Sequence, residues 1–239
     1  MQITVSFLEV ILENPFLPVY LITVAVALWR YPRYFETPLR YFPILLMYTL
    51  VTELWGVLIK YYDQFDLFLN EFFQNYNWLL YNVYTVISYF YFYYIFWCYV
   101  QNENHKKIIT VGAIAFVLTS IVNLFINSFL LEPQVFAYII GALVLVIAAF
   151  LYFLNLRTKF QTWFLKNDLV SWIGAGILIF YTGIIPIHIT KYYNARYGLN
   201  DASYIHTMLL LLIFGMYLCF IIGFLRMERS NRDLVRPLK

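Results

Sequence analysis

Hydrophobic residues in this chain come in runs of about twenty, separated by short segments that hold nearly all the charge. Seven runs can be counted, over residues 15–31, 41–60, 77–100, 107–127, 134–156, 169–190 and 203–225. A helix rises about 1.5 Å per residue, so about 17–25 apolar residues cross the roughly 30 Å of hydrocarbon in a bilayer. The expected fold is all-α: a polytopic membrane protein whose residues 1–239 form a single seven-helix transmembrane bundle. One further segment has a different period. Across 63–76, Phe65, Phe68, Leu69, Phe72, Phe73 and Tyr76 recur at helical spacing, with Asp66, Asn70, Glu71 and Gln74 on the other face. That pattern predicts an amphipathic helix on the outer surface, placed to act as an interfacial anchor or as a lid over the bundle.

Composition agrees with the pattern and charge orients it. The chain is 63% hydrophobic and only 12% charged, where a soluble domain carries about 25% charge. Mean hydropathy is +0.71. Thirteen of the sixteen Lys and Arg residues fall in one set of loops: Arg30, Arg33, Arg40, Lys106, Lys107, Arg157, Lys159, Lys166 and five more from Arg226 to Lys239. The other set holds Lys60, Lys191 and Arg196. Basic loops stay on the cytoplasmic side, which predicts an outer N-terminus and an inner C-terminus. The first ten residues have no basic region, so they are not expected to form a cleaved signal peptide. Cys98 and Cys219 both fall in inner halves of helices, where buried thiols are expected rather than a disulfide.

Against this apolar background one residue stands out. Glu53 lies well inside Tyr41–Lys60, about 18 Å from its inner boundary by helical rise. An acidic residue at mid-helix costs about 2.5–3.5 kcal/mol on insertion scales, so it needs partners or a function. Other hydrogen-bonding side chains converge on the outer half: Asn82 on the third run, Asn123 on the fourth, Tyr181 and His188 on the sixth, and His206 on the seventh. Glu53, Asn82, Asn123, Tyr181, His188 and His206 are therefore the candidate ligand-binding set. The competing reading is that the Asn, Thr and His side chains only join helices by hydrogen bonds. Glu53, His188 and His206 have the chemistry of zinc ligands, but no HxxxH or HExxH spacing exists, and no metal, cofactor or catalytic group is expected. Gly183 and Pro186 are candidate hinge positions in the sixth helix, because proline removes a backbone hydrogen bond there.

Several functions are excluded by what is missing. The seventh run has no lysine, so no retinal Schiff base can form. There is no Gly-rich phosphate loop, no nucleophile elbow and no convincing inverted repeat, and no nucleic-acid partner is expected. Pro38 to Gly56 (PLRYFPILLMYTLVTELWG) and Ser171 to Gly183 (SWIGAGILIFYTG) resemble segments of small stand-alone bacterial seven-helix membrane proteins of unassigned function. Those are similar in layout to the seven-helix sensor modules of histidine kinases. The resemblance implies a multi-pass protein of the bacterial inner membrane with a sensory or signalling role. The chain carries no kinase or other output domain, so the signal would pass to a cytoplasmic or membrane partner at the basic inner loops and tail. The expected function is an outward-facing polar pocket for a small or lipidic ligand. The alternatives are a lipid-modifying enzyme using Glu53 and a histidine as acid and base, and a small-solute or proton-coupled transporter in which Glu53 titrates.

Overall fold

The computed structural model describes residues 13–61 and 70–228, and among them there are seven α-helices and no strand. They are α1 (Phe16–Arg30), α2 (Phe42–Tyr61), α3 (Asn70–Tyr99), α4 (Glu103–Leu124), α5 (Val135–Phe160), α6 (Leu169–Tyr197) and α7 (Ser203–Arg226). Short 3₁₀ turns at Tyr31–Arg33 and Pro38–Tyr41 join α1 to α2. Among the described residues, five segments are long and apolar enough to cross a membrane: Pro38–Leu58 and the whole of α4, α5, α6 and α7. α1 is short, at 15 residues, and α3 is diluted by tyrosine and asparagine. The outer surface is apolar, with Leu211 65% exposed and Val111 64% exposed, as lipid-facing positions require.

Several boundaries differ from the sequence expectation for local reasons. α3 starts at Asn70 rather than residue 77, so the last part of the expected amphipathic segment continues straight into it. Residues 62–69, which hold the rest of that segment, lie outside the described residues. α4 starts early because the Asn102 side chain accepts from the backbone N–H groups of Asn104 (2.9 Å) and His105 (3.4 Å), a favourable N-cap. It also ends early, which puts Asn127 in the turn to α5. α6 begins with a side-chain N-cap: Asp168 Oδ2 accepts from the Ser171 N–H at 2.8 Å. It then runs beyond residue 190 to Tyr197 and ends on Gly198, whose φ of 66° lies in the left-handed region where only glycine is unstrained.

Packing closes six helices into a ring in the order α1, α2, α3, α5, α6, α7 and back to α1. α4 stands outside it, against α3 and α5. Its buried residues, Ile109, Phe116 and Asn123, recur every seven positions and form a single stripe. α5 is the most enclosed helix. Ala137, Gly141, Ala142, Ala148 and Ala149 are buried along it, and such small residues let neighbouring backbones approach where no hydrophobic force drives helices together. Two α3 tyrosines then reach its backbone: Tyr89 and Tyr93 donate to the carbonyls of Tyr138 (3.1 Å) and Gly141 (2.8 Å). Glycine also sets the α6–α7 seam. A Cβ on Gly176 would meet the Met216 carbonyl and Phe220, and one on Gly183 would meet Leu212. Gly183, expected as a hinge, is thus occupied as a packing position. Pro186 lies three residues further along an α6 that remains helical through it.

The basic end is fastened by its own arginines. Arg30 Nη2 donates to the Leu225 carbonyl and Arg33 Nη1 to that of Met227, each at 3.0 Å. These are among the last carbonyls of α7, which have no partner within the helix, and a cation is favourable at that end of the helix dipole. The α6 side of the same exit is held by Asn167, whose Nδ2 donates to Glu228 Oε1 at 2.6 Å.

Candidate functional site

The ring of six helices does not close completely at its centre. A cavity of about 310 Å³ remains, lined by side chains from every helix except α4. On α2 the lining follows the helical repeat through Phe42, Leu45, Leu46, Thr49 and Glu53. The spacing from Phe42 to Glu53 corresponds to about 16 Å of depth. The α6 wall runs from Phe180 to Lys191 and the α7 wall from Leu209 to Phe220, each covering a similar length. The exposed lining residues, Trp78 and Lys191, lie toward the end where α6 connects to α7. That end is the mouth. The deep end is apolar, with Phe42 in edge contact with Phe92 and Phe220, at centroid distances of 6.1 and 5.4 Å.

Glu53 is half-buried in the cavity wall. Among the described residues its carboxyl makes no hydrogen bond and no ion pair. Its electrostatic neighbours are the phenols of Tyr20 on α1, Tyr81 and Tyr84 on α3, and Tyr217 on α7. Those phenols are positioned by their own contacts. Tyr20 and Tyr217 pack ring to ring at 4.5 Å. The Tyr84 hydroxyl lies 3.0 Å from Thr49 Oγ1, one helical turn from Glu53. The Tyr81 hydroxyl occupies the space that a side chain at Gly56 would need. The result is a carboxyl that shares the cavity wall with several phenols and has no counter-charge among the described residues.

Two of the other expected residues share this cavity. Tyr181 is 8% exposed and stacks edge-on against Tyr89 at 5.6 Å. His188 packs against the Tyr138 ring at 5.8 Å and has Lys191 as its electrostatic neighbour. Both line the cavity wall.

The remaining three, grouped with Glu53 by depth, lie elsewhere. Asn82 is 1% exposed and its hydrogen bonds join α3 to the α4–α5 connection. Its Nδ2 donates to the carbonyls of Phe129 (2.7 Å) and Glu132 (3.0 Å), and its Oδ1 accepts from the Tyr138 hydroxyl. Asn123, also 1% exposed, donates to Gln134 Oε1 at 2.5 Å, and Gln134 Nε2 in turn reaches the Asn127 carbonyl at 3.4 Å. These asparagines hold helix ends and turns together. Asn82 also borders a separate, almost wholly apolar cavity of about 180 Å³ between α3, α4 and α5. His206 is exposed in the first turn of α7, away from the central cavity. No group of three His, Cys, Asp or Glu side chains converges among the described residues.

The sequence reading missed the phenols and Thr49. Tyrosine in a membrane helix is read first as an interfacial anchor, because its ring is apolar and its hydroxyl polar. The signal that was present is on α2: Thr49 and Glu53 stand four apart, on the face that continues through Phe42 and Leu45/Leu46. Comparison with family models, with curated proteins and with solved structures finds no match to this chain.

Proposed function

We propose that this chain is a seven-span integral membrane protein, N-terminus outside and C-terminus inside, whose central cavity binds a small or lipidic ligand from the outer side. The observation that carries this reading is the cavity itself, with Glu53, Tyr181 and His188 in one wall system and a mouth marked by Trp78 and Lys191. Ligand pockets have this character: mostly apolar and aromatic walls of about 300 Å³ or more, with a few polar groups. The basic loops support a cytoplasmic-side face and, with it, an inner-membrane location in this reading. The geometry between the two ends is what supports a signalling role in this reading. α6 and α7 form cavity walls and also run to the basic face, where Arg30, Arg33 and Asn167 hold the α7 exit. A ligand that shifts α7 against α6 would alter that clasp, and a cytoplasmic or membrane partner would read the change.

The test is to purify the wild type and a cavity-filled Leu209→Trp variant in mild detergent and identify small molecules that co-purify. A stoichiometric compound carried by the wild type and missing from the variant is expected. Identical extracts from two equally folded proteins would refute the reading.

A further inference from the structure

The chemistry around Glu53 narrows the ligand. Resting on the reading that the central cavity takes a ligand, we propose that its occupant is an organic cation with a single hydrocarbon tail, an alkylamine or alkyl quaternary ammonium, seated with its head on Glu53 and its tail along α2 toward Phe42.

Three observations support this class. First, the carboxyl has no cationic partner among the described residues. The basic residue in the cavity lining, Lys191, sits beside His188 at the mouth, three residues and nearly a full turn beyond it on α6. A carboxylate in a low-dielectric wall is stabilised by a cation, and a cationic ligand would supply one. Second, four phenol rings from three different helices, Tyr20, Tyr81, Tyr84 and Tyr217, line the same cavity as that carboxyl. Ring faces attract ammonium groups, and aromatic-lined sites bind quaternary ammonium ligands. Third, the cavity continues past Glu53 for about 16 Å between apolar walls, to Phe42, Phe92 and Phe220. One leaflet of a roughly 30 Å hydrocarbon core is filled by acyl chains of about that reach. A tail in this channel meets almost no polar group below Thr49 and Ser88.

Charge also argues against the mirror-image ligand. A fatty acid carboxylate with its head at that position would set a second carboxylate against Glu53. A neutral alcohol meets no repulsion but gains no ion pair.

The experiment uses the full chain in nanodiscs and three probes that share a tail: dodecyltrimethylammonium and dodecanoate, each titrated below its critical micelle concentration, and dodecanol, titrated below its solubility limit. Saturable binding is read by calorimetry, and unliganded melting confirms that each variant is folded. In the wild type the ammonium probe is expected to bind at least about tenfold more tightly than the alcohol, the lower end of what an unpaired buried charge implies, and dodecanoate weakest. Glu53→Gln should bring the ammonium-to-alcohol ratio to near one and leave the alcohol unchanged. Glu53→Asp, which keeps the charge but withdraws it, should retain part of the preference. If dodecanoate binds best, or if Glu53→Gln leaves the ratio unaltered, the cation assignment is overturned. The pocket itself survives that result provided Leu209→Trp abolishes binding of the preferred probe. If no probe binds saturably, or if Leu209→Trp leaves binding intact, the pocket reading falls together with the cation.

Discussion

Truncating Asn82 separates structural hydrogen bonding from ligand binding in this molecule. Asn82 is almost fully buried and makes three hydrogen bonds: two donated to the carbonyls of Phe129 and Glu132, and one accepted from Tyr138. In Asn82→Ala all three partners lose it at once. Interhelical hydrogen bonds in a membrane protein average about 0.6 kcal/mol and reach about 1.7 kcal/mol, so three give about 2 kcal/mol with a ceiling near 5. The expected loss lies in the lower half of that range, because the Tyr138 hydroxyl can turn toward the small cavity beside it while the two turn carbonyls cannot move. The assay is equilibrium unfolding in bicelles with increasing SDS, referenced to Leu118→Ala at a position 58% exposed. Affinity for a ligand of the central cavity should stay within about twofold, since Asn82 does not line it. A stability loss within about 0.5 kcal/mol of the reference variant would refute the assignment of Asn82 as a tie between α3 and the α4–α5 turn.

Four other outcomes follow from named contacts. Glu53→Gln should melt at or above the wild-type temperature without ligand, because the carboxyl makes no hydrogen bond among the described residues and the amide carries no charge to desolvate; a clear drop in melting temperature would mean it has a structural partner. Gly176→Ala should cost about 1–3 kcal/mol in the same unfolding assay, since the new Cβ would sit 2.9 Å from the Met216 carbonyl, a backbone atom that cannot swing aside. Arg33→Ala should cost about 1 kcal/mol by leaving the Met227 carbonyl without its donor, and lysine should restore less than half because it lacks the guanidinium fork. With Cys98 and Cys219 replaced by serine, a cysteine at Leu199 should react with a membrane-impermeant maleimide from the outer face, and one at Asn104 only after permeabilisation; the reverse result would invert the proposed topology.

Element existence was easy to read in this chain because lipid leaves the backbone little choice. Every N–H and C=O must be paired within its own segment, so runs such as Val135–Phe160 can only be helices. Boundaries were harder, because single side chains decide them. Asn102 starts α4 before its apolar run begins, and the left-handed Gly198 lets α6 run past the expected membrane edge. The polar layer was half legible. Depth along a helix can be counted from sequence: Glu53 lies in the C-terminal half of α2, Asn82 in the N-terminal half of α3 and Asn123 at the C-terminal end of α4. Direction around the helix axis cannot be settled until neighbours are known. Asn123 lies on the stripe that joins α4 to the bundle from outside, so it could never face the centre. Its partner is Gln134, the N-cap residue of α5.

The cavity has a physical cause in the distribution of small residues. Apolar burial does not press helices together in a bilayer, so close contact depends on surfaces that permit it. α5 has its alanines and Gly141, and α6 and α7 share Gly176, Gly183 and Gly223, against which the Met216 carbonyl and neighbouring side chains pack. The cavity face of α2 offers Phe42, Leu45, Leu46, Thr49 and Glu53 instead, with no glycine or alanine. The faces opposite it present Phe180, Tyr181, Tyr217 and Phe220. Rings and branched chains meeting at their tips hold the backbones apart, and α2 packs closely only on its ring neighbours α1 and α3. The space left between is therefore lined by the residues that prevent closure. Had α2 carried leucine at position 53, an apolar gap of this kind would be a packing defect that lipid could fill. With a carboxyl there, and no cation beside it among the described residues, the same gap acquires a chemical preference.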